Sequence, residues 1–129
     1  MARVLVIDDD EGMRHVLRLA LARMGHTVTE AANGVEGLRA FRAGPVDLVL
    51  TDLVMPEKEG IETIMELRRL APTTKIIAMS GGTDPDLVRT NLQSARLLGA
   101  AMILTKPFDL ADLAAAVNRL LGPESDPGS

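Results

Sequence analysis

The residues of this chain best suited to chemistry are acids, and they follow short apolar runs. Val4-Leu5-Val6-Ile7 leads into Asp8-Asp9-Asp10-Glu11, and Leu48-Val49-Leu50-Thr51 leads into Asp52. Two more polar groups obey the same rule. Lys75 to Met79 ends at Ser80-Gly81-Gly82, and Ala101 to Leu104 ends at Thr105-Lys106-Pro107. Carboxylates brought close together repel one another unless a cation is shared between them. An all-oxygen ligand set with room for water suits Mg²⁺, whereas the chain has no cysteine and only two histidines, His15 and His26, to offer zinc. The Ser80 hydroxyl and the Lys106 ammonium are groups that could hold phosphoryl oxygens. Each acid also has a plainer reading as a solvated helix N-terminus, and for Asp10 and Glu11 that reading is preferred, because carboxylates there favour the helix dipole and cap free N–H groups. Ser80 could be a turn residue and Lys106 a surface lysine; their positions at strand ends opposite the acids argue for more.

Such convergence needs elements that bring the run ends to one edge. Short apolar runs alternate with segments of helical period, the pattern of a parallel sheet covered by helices on both faces. The strands are expected at Val4 to Ile7, Thr27 to Ala31, Leu48 to Thr51, Lys75 to Met79 and Ala101 to Leu104. All but the second are nearly continuous in apolar residues, as strands buried on both faces should be. The first helix is expected from about Gly12 to Met24, with Met13, Val16, Leu17, Ala20, Leu21 and Met24 as its apolar stripe and Gly25 as its stop. The next carries Val35, Leu38 and Phe41; the third carries Ile61, Ile64, Met65 and Leu70; the fourth runs from roughly Asp86 to Leu98. The last, with Leu110, Leu113, Ala114, Val117, Leu120 and Leu121, starts at an Asp109 N-cap and ends at Gly122-Pro123. In open α/β sheets the active crevice lies beyond the carboxyl ends of the strands, where the acids, Ser80 and Lys106 all fall. Periodicity alone does not give the strand order.

Composition narrows the function classes. The 129 residues, 47% hydrophobic, suit one globular domain. Fourteen Lys and Arg against 18 Asp and Glu give a net charge of −4, the wrong sign for gripping phosphate backbones. With Phe41 and Phe108 as the only aromatic residues, there is no platform for stacking single-stranded bases either. The absence of cysteine suits a reducing cytoplasm, and no run approaches the ~18 apolar residues of a membrane span.

Taken in order, these residues resemble a response-regulator receiver domain of two-component signalling, over Val4 to about Leu121. The resemblance rests on Asp8-Asp9 after the first strand, Asp52-Leu53-Val54-Met55-Pro56 with Gly60 after the third, Ser80 after the fourth, and Lys106-Pro107-Phe108 after the fifth. Any one of these is weak; the ordered set is specific. The resemblance implies an α/β, flavodoxin-like, doubly wound five-stranded parallel sheet in the order 2-1-3-4-5 with five helices. It makes Asp52 the phosphoacceptor, with Asp8, Asp9, Asp52 and the Val54 backbone carbonyl around Mg²⁺, Asp8 mostly through water. Ser80 and Lys106 would hold the phosphoryl group, and Lys106-Pro107 would be a cis peptide. The donor would be a phosphohistidine on a sensor histidine kinase or a histidine phosphotransfer protein. The domain would catalyse its own phosphorylation and dephosphorylation, without being an enzyme acting on other molecules. Its output would be a surface of the fourth helix, fifth strand and fifth helix offered to a downstream protein effector, with a homodimer through that face left open. Neither nucleic acid nor membrane is expected as a direct partner. Residues 1–121 would be the receiver and 122–129 a tail or linker stub, so that output comes from another polypeptide or a further domain.

Several positions depart from the family pattern. Ile103 stands where the family often has an aromatic residue coupled to the Ser/Thr hydroxyl during switching, which leaves Ser80 as the moving group without a ring partner. The segment from Ser80 to Lys106 is a few residues longer than usual, and Gly81-Gly82-Thr83-Asp84-Pro85 is expected to absorb the excess. Val54 and Gly82, two residues beyond Asp52 and Ser80, cannot orient an attacking water. Arg14, Arg18 and His15 form a basic strip on the first helix, by default a solvated face, otherwise a contact for the phosphodonor. Three rival functions each match part of this pattern. A haloacid-dehalogenase-type phosphatase would use Asp8-x-Asp10, but Gly12 stands where that family has Thr or Val. A flavin-nucleotide carrier would need a phosphate cradle where four acids stand. A receiver-like binding module that is never phosphorylated would not need the full set of Asp8, Asp9, Asp52, Ser80 and Lys106.

Overall fold

A computed structural model describes residues 2–53, 59–81, 85–97 and 99–122. Five strands and five helices alternate: β1 (Arg3–Ile7), α1 (Glu11–Arg23), β2 (Thr27–Ala31), α2 (Gly34–Ala43), β3 (Leu48–Asp52), α3 (Glu59–Leu70), β4 (Lys75–Ser80), α4 (Pro85–Leu97), β5 (Met102–Thr105) and α5 (Leu110–Leu121). The sheet is parallel throughout, in the order β2-β1-β3-β4-β5. This is the order the resemblance implied. The strand boundaries fall within a residue of those expected. β2, the least apolar run, is an edge strand with Thr27, Thr29 and Glu30 exposed.

Because side chains alternate across a strand, the sheet separates two apolar clusters. Val4, Val6, Leu48, Leu50, Ile77 and Met79 meet Leu17 and Leu21 of α1 and Leu113 and Val117 of α5 on one face. On the other, Leu5, Ile7, Val49, Ile76 and Ala78 meet Ile64 and Leu67 of α3 and Ala95 of α4. The helix stripes read from sequence are too wide. Val16 and Met65 are exposed because Leu17 and Ile64 beside them face the sheet and successive helical residues are turned about 100° apart; Val35 and Leu110, in the first turns of α2 and α5, are exposed as well. Leu67, missing from the stripe of the third helix, is fully buried, whereas Leu70 is exposed.

The helix ends follow their sequence signals. Asp10 caps α1 by accepting from Met13 N at 3.1 Å, which bears out the plain reading of that acid. Gly25, with φ +93°, takes the left-handed conformation that ends the helix. Asp109 and Asp112 form a reciprocal capping box at the start of α5.

Candidate functional site

Parallel pairing brings the strand carboxyl ends to one edge. Ile7 of β1 is paired with Thr51 of β3, so Asp8 and Asp52, the next residue on each chain, lie side by side. Ser80 at the end of β4 is paired with Thr105 of β5, and the Lys106 amide donates to the Ser80 carbonyl at 2.6 Å. The Lys106-Pro107 peptide is cis, as expected.

Asp8, Asp9 and Asp52 each turn a carboxylate oxygen into one cluster, all within 4.8 Å of one another. Asp8 and Asp52 are buried and Asp9 is exposed. Asp8 Oδ1 accepts from the Asp10 amide at 2.9 Å, and its Oδ2 accepts from Lys106 Nζ at 3.1 Å. The same ammonium donates to Asp52 Oδ2 at 3.2 Å. Burial works against the charge on Lys106, but the Asp52 and Asp8 carboxylates outweigh it and hold the pKa above the ordinary 10.5. Three carboxylates and one ammonium leave two negative charges in a cluster of hard oxygen donors, which fits a small divalent cation bound through oxygen. Ser80 is wholly buried beside this cluster, and its Oγ has no hydrogen-bond partner. A buried hydroxyl left unsatisfied carries a free-energy cost that an incoming anionic oxygen would remove.

Ile103 is half-buried on β5, paired with Ala78 and packed against the α3/α4-side cluster. With Thr105, Arg89, Gln93 and Arg96 it lines a cavity of about 310 Å³ between α4 and β5. An aliphatic side chain there offers no ring hydroxyl or ring face to the Ser80 hydroxyl. Val54, whose carbonyl was expected to face the cation, and Gly82, with most of the Gly81 to Pro85 loop, lie outside the described residues.

In the basic strip of α1, His15 is exposed and Arg18 is partly exposed, as a solvated face would be, but Arg14 departs from that reading. Arg14, its side chain 16% exposed, turns inward: Nε donates to Glu30 Oε1 at 3.1 Å and Nη1 to the Asp8 carbonyl at 2.8 Å. Arg18 Nε takes the other oxygen of Glu30 at 2.8 Å. Both arginines therefore have acidic partners within the chain. This contact with the acidic cluster was missed from sequence. The available signal was the helical spacing, which sets Arg14 one turn beyond the Asp10 cap, over the loop leaving β1.

Comparison with known proteins agrees with the fold. The family model for the response regulator receiver domain matches residues 4–118. The chain is 38% identical over 128 residues to the DNA-binding transcriptional regulator NtrC of Azospirillum brasilense, covering 99% of this chain and 26% of that protein. It is 34% identical over 127 residues to the response regulator receiver protein CpdR of Brucella abortus, covering 94% of this chain and 98% of that one. Among solved structures, the chemotaxis protein CheY4 of Vibrio cholerae superposes with a TM-score of 0.82 at 29% identity, over 93% of this chain and 98% of that one. The chain thus spans about a quarter of some relatives and nearly the whole of others. It belongs to the response regulator receiver family, as a receiver domain of two-component signalling. That assignment displaces the phosphatase and flavin-carrier readings.

Proposed function

We propose that this domain accepts a phosphoryl group on Asp52 in a Mg²⁺-dependent reaction, from a phosphohistidine on a sensor histidine kinase or a histidine phosphotransfer protein. The observation that carries the reading is Lys106 Nζ bridging the buried Asp8 and Asp52 carboxylates, next to the unpartnered Ser80 hydroxyl. Asp8, Asp9, Asp52 and the Val54 carbonyl would hold Mg²⁺, which when bound neutralises charge between the attacking carboxylate and the phosphoryl oxygens.

The chain's own groups divide the remaining work. An oxygen of Asp52 attacks phosphorus as the phosphorus–nitrogen bond of the donor breaks, giving an acyl phosphate. Lys106, already held between the two acids, exchanges a carboxylate for a phosphoryl oxygen, and Ser80 donates its hydroxyl to another. Hydrolysis by water later regenerates the Asp52 carboxylate and releases inorganic phosphate. Ser80 ends β4 immediately before the connection to α4, so its movement toward the phosphoryl group would alter the α4–β5–α5 surface read by a protein effector. A homodimer through that surface would be an alternative output. Residues 1–121 would form the receiver body, acting in the cytoplasm; no helix among the described residues is long and apolar enough to cross a membrane.

Incubation with Mg²⁺ and acetyl phosphate should add one phosphoryl mass to the chain, and the addition should not occur when EDTA is present from the start or in Asp52→Asn. A chain that binds Mg²⁺ yet stays unmodified would instead be a receiver-like binding module. Since Val54 offers no polar side chain to orient water, the phosphorylated chain should also outlive a phosphorylated Val54→Asn variant. Equal decay rates for the two would refute that last point.

A further inference from the structure

We propose that Arg14 is a positioning residue for the acidic pocket: braced by Glu30, its guanidinium fixes the Asp8–Asp9 peptide and so the direction of the Asp9 carboxylate. The inference rests on the Mg²⁺ reading given above. Arg14 lies in α1 one turn beyond the cap, its amide donating to the Asp10 carbonyl at 2.9 Å. A guanidinium presents its donors in a rigid planar fork, so two acceptors in fixed directions lock its orientation. Here those acceptors are Glu30 Oε1 and the Asp8 carbonyl. Glu30 is restrained in turn, because Arg18 holds its other oxygen and β2 sets its backbone opposite Val6.

Asp8 is consequently tied at every polar atom. Its N–H donates to the Ala31 carbonyl at 3.1 Å, its carbonyl accepts from Arg14, and its two carboxylate oxygens accept from Asp10 N and Lys106 Nζ. The next residue, Asp9, is exposed, and the Asp8–Asp9 peptide sets the direction in which its Cα–Cβ bond leaves the backbone.

Charge and geometry make opposite demands on Arg14. A guanidinium near three carboxylates weakens their pull on a cation, so its removal should tighten Mg²⁺ binding if charge alone mattered. If positioning matters, its removal misdirects Asp9 and loosens binding; loss of a residue that orients a metal ligand typically costs about 10- to 100-fold in affinity. Arg14→Lys separates the two, keeping the charge and losing the fork.

The test is Mg²⁺ titration calorimetry on the full metal-free chain, as wild type, Arg14→Lys, Arg14→Met and Glu30→Gln. Binding should weaken about tenfold in Arg14→Lys, by less in Arg14→Met, where the lost positive charge offsets part of the misdirection, and by less in Glu30→Gln. The Asp9 amide resonance of metal-free Arg14→Lys should shift while its thermal midpoint stays close to that of wild type. Arginine variants that bind Mg²⁺ as tightly as wild type, or more tightly, would reduce Arg14 to a surface bridge or a mere charge. If Arg14→Met fails to fold, Arg14→Lys and Glu30→Gln decide the matter. Failure of the wild-type chain to bind Mg²⁺ would overturn the reading beneath as well; normal wild-type binding with unchanged variants would overturn the positioning role alone.

Discussion

Lys106 is a single ammonium set against more negative charge than it can balance, and the imbalance is measurable. Its raised pKa means that it stabilises the fold fully below the ordinary 10.5, and that this contribution is lost as the pH rises through the higher folded value. The chain has no tyrosine or cysteine to titrate over the same range. Urea unfolding of the metal-free protein should therefore show an alkaline fall in stability that Lys106→Met lacks. The surplus acid has the opposite signature. Asp9→Asn removes one member of a like-charged cluster, and unfolding without metal should show a gain of about 0.5–1 kcal/mol, the modest size reflecting the exposure of Asp9. The same variant should lose most of the extra stability that Mg²⁺ confers on wild type, because metal binding adds stability only in proportion to affinity. At this scale the sequence was legible where a residue's place followed from the strand preceding it, as for Asp8, Asp52, Ser80 and Lys106. Arg14 and Glu30 were not, because a contact between a helix and an edge strand depends on register that no local pattern carries.

Between elements, α2 packs closely on β1. Gly37 is buried with the Ile7 side chain over it, so that a Cβ at this position would fall 2.8 Å from Ile7 Cγ1. Ile7 is itself wholly buried and has little room to move. Gly37→Ala should gain helix propensity yet destabilise the protein by about 1–3 kcal/mol through overpacking, read as a lower denaturation midpoint with an unchanged m-value. The elements were readable because buried parallel strands and amphipathic helices have different apolar periods, and because Asp10, Gly25 and Asp109 mark helix ends by capping chemistry. The buried face of each helix was less so: Val16 and Leu17 are equally apolar, and only the sheet's position decides that Leu17 is buried and Val16 exposed. Strand order likewise came from resemblance, since five strands joined by four right-handed crossovers can be arranged in more than one order.

Across the whole molecule, each end of the sheet carries a cation among oxygen atoms, but of different kinds. At the carboxyl end Lys106 faces carboxylates. At the opposite end Arg68 of α3 donates to the carbonyls of Pro72, Thr74 and Gly99, the last two at 2.9 and 3.0 Å. Gly99, at φ +109°, has the Arg68 side chain where a Cβ would stand. Arg68→Met should lower stability by about 1–2 kcal/mol, since three carbonyls lose a charged donor and water replaces it only in part. The effect on α4 is one of leverage. Gly99, two residues beyond the end of α4, is held by Arg68, whereas the helix begins at Pro85, five residues beyond Ser80. A 13-residue helix is about 20 Å long, so a displacement of ~2 Å entering at its start, with the far end fixed, becomes a tilt of roughly 6°. With Arg68 in place such a push would turn α4 about one end like a hinged beam; in Arg68→Met it would slide the helix bodily, and the face it shares with β5 would change less in angle than in position.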